Sequence, residues 1–108
     1  MAYEIQYSPQ LAAEKLTGLL KEYTAKLQQM RERAFAYQLD RRKGIPRDYE
    51  VQAWQMERIR LADPLGELAR HTSQIIEHAG IDETTRVELR IRLAELELAM
   101  QSLHQVGL

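Results

Sequence analysis

Few side chains in this sequence are placed to do chemistry. His71 and His78 stand seven residues apart and Glu67 precedes His71 by four. A helix through this stretch sets all three on one face, where they would suit a divalent cation. Yet the Glu-x-x-His pairs of di-metal carboxylate bundles are missing, and so is His-Glu-x-x-His. Surface histidines beside carboxylates explain the spacing more simply. The serines are Ser8, Ser73 and Ser102, with no Gly-x-Ser-x-Gly elbow, and there is no cysteine. Nucleophilic catalysis therefore has no obvious actor. Glycines at 18, 44, 66, 80 and 107 never cluster, so no loop is built to cradle phosphate. Carboxylates are plentiful, but general acid–base work needs a desolvated one, and these read as exposed helix faces. We expect no enzyme activity, no cofactor and no metal.

A different constellation suits binding. Arg31, Arg33, Arg41, Arg42, Lys43 and Arg47 lie among Phe35, Tyr37, Tyr49 and Trp54. Residues 31–47 carry a net charge of +4 and residues 48–108 one of −5, inside a total of −1. Phe35 and Leu39 are one helical turn apart and off the apolar seam described below. Arg31, Arg33, Phe35, Leu39, Arg41, Arg42, Lys43 and Arg47 thus form a candidate partner-binding tip. Arginine and aromatic residues are enriched at protein interfaces. The same mixture holds phosphates and stacks bases. Cations also favour helix C-termini for their own sake, and the near-neutral total gives no bulk attraction to nucleic acid. A protein partner is the first expectation; a nucleic-acid module using the tip 31–49 is the alternative.

The element that must carry this tip is a long helix. Ser8-Pro9 gives a capping residue followed by a proline suited to the first helical position. Leu16, Leu20, Tyr23, Leu27, Met30, Ala34 and Tyr37 step by four and three without a break. Gly44-Ile45-Pro46 stops the helix. A helix over 9–43 is about 52 Å long and needs an equally long partner segment. Residues 48–79 supply one. Asp48 is a candidate cap, and Val51, Trp54, Arg58, Leu61, Leu65, Leu68, Thr72, Ile75 and Ala79 continue the rhythm. Asp63-Pro64 reads locally as the start of a new helix. The heptad phase nonetheless passes through Pro64 unslipped, which favours one kinked helix or two coaxial ones. The expectation is an antiparallel hairpin, 9–43 against 48–79, with its turn at 44–47.

Ala79-Gly80-Ile81-Asp82 marks the next stop and start, with Gly80 suited to the position after a helix and Asp82 to capping the following one. Residues 83–105 then form a third helix with two opposed apolar stripes. Val87, Ile91, Ala94 and Leu98 make one; Leu89, Leu93, Leu96, Met100 and Leu103 make the other. A three-helix monomer would leave one of them in water, unless residues 48–62 and 64–79 fold to opposite sides of the last helix. We expect self-association, most simply as a homodimer, through Leu89, Leu93, Leu96, Met100 and Leu103.

The fold expected is all-α: an elongated helical hairpin kinked at Pro64 plus a third long helix, a three- or four-helix bundle in a single domain over 1–108. Tyr3, Ile5 and Tyr7 alternate with polar residues, which predicts an extended arm over 1–8. No basic and apolar leader opens the sequence and no run is long enough to span a membrane. With no cysteine, the easy reading is a cytoplasmic protein that meets no membrane. The function expected is a protein–protein interaction or assembly module: an adaptor, chaperone or structural subunit.

Overall fold

The computed structural model describes residues 8–106. The expected extended arm lies almost wholly outside them. Three helices follow in order, α1 (Pro9–Arg42), α2 (Asp48–Ile76) and α3 (Glu83–His104), with no strand among the described residues. The molecule is elongated, with principal extents of 63 × 32 × 15 Å. The all-α bundle read from the periodicities is the fold observed.

The ends of α1 follow their sequence signals closely. Ser8 Oγ accepts from the Leu11 N–H at 3.5 Å, with Pro9 in the first turn. At the other end Gly44 takes φ +76°, the left-handed region a side chain would strain. The Gly44 N–H then reaches the Arg41 carbonyl at 3.1 Å and the Ile45 N–H reaches that of Asp40 at 2.9 Å. This is the paired closure of a Schellman motif.

Helix α2 departs from expectation in two places, its cap and its end. Asp48 is its first residue rather than its cap; Arg47 holds the cap position without a capping side chain. Asp48 and Glu50 instead put negative charge on the first turn, where the exposed N–H groups favour it. The helix runs unbroken through Pro64, in keeping with the unslipped heptad phase, and Asp63 starts no second helix. Lastly α2 ends at Ile76, short of the expected Ala79. The cause is Arg86. Its guanidinium donates to the carbonyls of Ile76 at 2.9 Å and His78 at 2.9 Å, groups that further helix would otherwise occupy. Gly80 correspondingly has no positive φ. Its lack of a side chain serves a close approach: a Cβ there would meet His78 Nδ1 at 3.2 Å and Pro9 Cγ at 3.4 Å.

One core joins the three helices. Helix α1 buries Ala13, Thr17, Leu20, Thr24, Leu27, Met30 and Ala34, with the expected seam members Leu16, Tyr23 and Tyr37 half-buried beside them. Helix α2 contributes Trp54, Leu61, Leu65, Leu68, Thr72 and Ile76. Trp54 is fully buried and its Nε1–H donates to the Met30 carbonyl at 2.8 Å, which fixes the register of α1 against α2. The seam of α1 is not satisfied by α2 alone, as its matching length suggested; α1 lies closer to α3 along much of its length. Small residues, Ala13, Thr17 and Thr24, permit that approach. At the base of the molecule Gln10 ties α1 to α3. Its Nε2 donates to Thr85 Oγ1 at 2.7 Å and its Oε1 accepts the Asp82 N–H at 3.0 Å. Asp82 caps α3 as expected, its carboxylate accepting the Thr85 N–H at 2.7 Å.

Candidate interaction surfaces

Gln10 and Asp82 hold the start of α3 against α1, and the helix turns its Leu and Met stripe inward. Leu89 and Leu96 are 0% exposed and Leu103 4%, with Leu93 and Met100 packed against them. The residues expected to make a self-interface are therefore the chain's own core, and that assignment is corrected. The opposite stripe faces out: Val87 is 44% exposed, Ile91 52% and Leu98 63%, with Ala94 exposed between them. The sequence carried a signal for this choice. The inner stripe has five members, all Leu or Met, while the outer has four and includes an alanine. The longer and bulkier row fills the core.

Polar residues line the outer stripe. Arg90 and Glu97 flank one edge, exposed and without an ion pair among the described residues. Glu88 and Glu95 flank the other, where Arg92 reaches both, at 3.8 and 3.3 Å.

The second surface is the hairpin tip. Helix α3 ends at His104, beside Arg58, Leu27 and Leu61, so α1 and α2 continue beyond it as a two-helix projection. On α1, Gln10 marks the side that meets α3. By helical phase Phe35 and Leu39 fall on that same side, past the point where α3 stops. This explains why both are about half exposed. Arg31 lies over the Phe35 ring, 5.1 Å from its centroid. Arg41, Arg42 and Lys43 are exposed and make no ion pair among the described residues. Two expected tip cations are held within the fold. Arg33 pairs with Glu57 at 3.0 Å. Arg47 pairs with Glu50 and Asp40, whose hydrogen bonding and charge raise its pKa further above the ordinary arginine range. Tyr49, 85% exposed, completes the tip.

The remaining candidates do not assemble into a chemical site. His71 and His78 line a groove of about 510 Å³ between α1 and α2. Glu67 is turned to Arg70, at 4.0 Å, and His78 Nδ1 accepts the Gly80 N–H at 3.0 Å. No group of three His, Asp or Glu able to hold a metal exists among the described residues. A cavity of about 210 Å³ between Leu27, Leu61, Leu65, Met100 and Leu103 has Arg58 and His104 at its mouth. The Arg58 guanidinium donates to His104 Nδ1 at 2.7 Å and lies over the Trp54 ring at 5.8 Å. No described helix is long and apolar enough to cross a membrane. No family model matches the chain, and neither a curated protein nor a solved structure matches it.

Proposed function

We propose that this chain is a non-enzymatic interaction and assembly module, an adaptor, chaperone or structural subunit, that acts as a homo-oligomer. The observation that carries this reading is the row of Val87, Ile91 and Leu98 left exposed along α3. Exposed apolar side chains scattered singly are ordinary, but a contiguous row on one helix face marks a contact surface. Its place on the outside of the bundle leaves it free to meet another molecule without disturbing the core. The tip is the second contact surface, and another protein is its occupant. The half-exposed Phe35 and Leu39 supply apolar contact there, and Arg31, Arg41, Arg42 and Lys43 supply charge.

Two substitutions on α3 test this reading. Ile91→Glu places a charge in the outer row and should give a folded monomer, with helical circular dichroism and melting nearly unchanged. Leu89→Glu places it in the core and should unfold the protein. If Ile91→Glu leaves the molecular mass as it is in the native chain, the outer row makes no self-contact.

The alternative occupant of the tip is nucleic acid. The specific observation in its favour is Tyr49, 85% exposed on the same hairpin tip that carries the exposed Arg41, Arg42 and Lys43. Binding of a single-stranded oligonucleotide would then weaken steeply with added salt and vanish in a variant with Arg41, Arg42 and Lys43 reversed to Glu. Absence of binding at low salt excludes it.

A further inference from the structure

The outer stripe of α3 also specifies how a second copy would sit on it. This inference rests on the self-association proposed above and adds its direction and register. We infer that two copies pack α3 against α3 in antiparallel orientation, with Val87 against the partner's Leu98 and Ile91 against the partner's Ala94.

Three observations bear on this pairing. The first is the seam itself. Val87, Ile91, Ala94 and Leu98 step by four, three and four, the spacing of a helix–helix contact, and all four are exposed. The second is volume. In a parallel pair each residue meets its own copy, so Ala94 would face the partner's Ala94. That leaves a thin layer between the bulky Ile91 and Leu98 layers. Reversing the partner sets small against large at the centre, Ala94 on the partner's Ile91 and Ile91 on the partner's Ala94. The four layers then fill evenly, as close-packed contacts require. One turn further out the exposed Thr84 faces the partner's Gln101, so each end of the seam closes on a polar pair.

The third observation is charge. In an antiparallel pair each edge of the seam runs beside the same edge of the partner, read backwards. On the first edge Arg90 then meets the partner's Glu97, and Glu97 the partner's Arg90. Both residues are exposed and neither has an ion pair within the described chain. On the second edge Glu88 approaches the partner's Glu95. Arg92 already lies 3.8 Å from Glu88 and 3.3 Å from Glu95 on its own helix, which offsets that repulsion. A parallel pair would set Arg90 on the partner's Glu95, and Glu83, 69% exposed and paired with Arg86 at 2.7 Å, beside the partner's Glu88. The charges thus suit a second copy in either direction, and the layer volumes choose the antiparallel one. The antiparallel register also overlaps nearly the whole of α3 and sends the two hairpin tips out at opposite ends.

Disulfide trapping reads the direction cleanly, because the chain has no cysteine of its own. Val87→Cys and Leu98→Cys change exposed positions and leave the core intact. Under mild oxidation a mixture of the two variants should cross-link, while Val87→Cys alone should not. Cross-linking of Val87→Cys to itself, with Leu98→Cys behaving likewise, would overturn the antiparallel register while leaving self-association standing. No cross-link in any mixture, with a monomeric mass by light scattering, would overturn both. As a second readout, Arg90→Glu should weaken the dimer by about tenfold, two exposed ion pairs being lost. Adding Glu97→Arg should restore it. Rescue by Glu95→Arg instead would indicate the parallel arrangement.

Discussion

Thr24 and Thr72 occupy buried positions with different fates for their hydroxyls. Thr72 Oγ1 donates back to the Leu68 carbonyl at 2.7 Å, whereas Thr24 Oγ1 is buried with no hydrogen-bond partner. Valine has nearly the same shape as threonine. Thr24→Val should therefore raise stability by about 1 kcal/mol, and Thr72→Val should lower it by a similar amount. Thermal melting would show the opposite signs as shifts of roughly 5 °C each way. Arg86 is the residue on which the α2–α3 turn depends, since its guanidinium serves the Ile76 and His78 carbonyls. Arg86→Met keeps the stem but frees those carbonyls, and should cost about 2 kcal/mol in a denaturant titration. Asp82 gives the turn a pH dependence. The backbone and side-chain hydrogen bonds of Thr85 hold its carboxylate below the ordinary range. A group with a depressed folded pKa stabilises the fold above its unfolded value and loses that contribution as pH falls through the folded one. The native chain should thus melt higher than Asp82→Ala at neutral pH, with the gap narrowing as the solution is acidified below the carboxylate range.

At the scale of the helices, α2 is the element whose sequence argues with itself. Asp63-Pro64 looks like a helix start, yet the apolar phase runs straight through, and the phase prevails because Trp54, Leu61, Leu65 and Leu68 all bury against one surface. Pro64 faces solvent, where the missing N–H and the ring strain are the whole of its effect. Pro64→Ala should therefore stabilise the protein, by up to about 3 kcal/mol. Gly66→Ala, where an added Cβ meets nothing within 4 Å, should add about 1 kcal/mol. Both gains would appear as higher melting midpoints by circular dichroism. The extent of α1, the turn that follows it, and the caps Ser8, Gly44 and Asp82 were legible because periodicity and turn chemistry are local. The end of α2 was not, because it is set by a guanidinium ten residues away from Ile76. The inward face of α3 was legible only in the relative bulk of its two stripes, five Leu and Met residues against four that include Ala94. Arg33 and Arg47 read as free cations of the tip for a related reason: Glu57 and Asp40 reach them only in the folded hairpin, and sequence spacing alone does not show it.

On the scale of the whole molecule, the uneven lengths of the helices generate the two surfaces. Helix α3 has 22 residues and α1 has 34, so the hairpin outruns the third helix and carries Phe35, Leu39 and the cations of the tip beyond it. The same short third helix covers the core with one stripe and leaves the other bare. On the proposed reading, a molecule 63 Å long with an exposed apolar row on one flank and a basic tip at the far end would join copies and still reach another partner. That account stands on the outer stripe of α3 being buried in solution. Its most direct test is the mass of the native chain by light scattering coupled to size-exclusion chromatography at tens of micromolar. The account predicts twice the chain mass of 12.6 kDa. A single chain's mass at that concentration would contradict it.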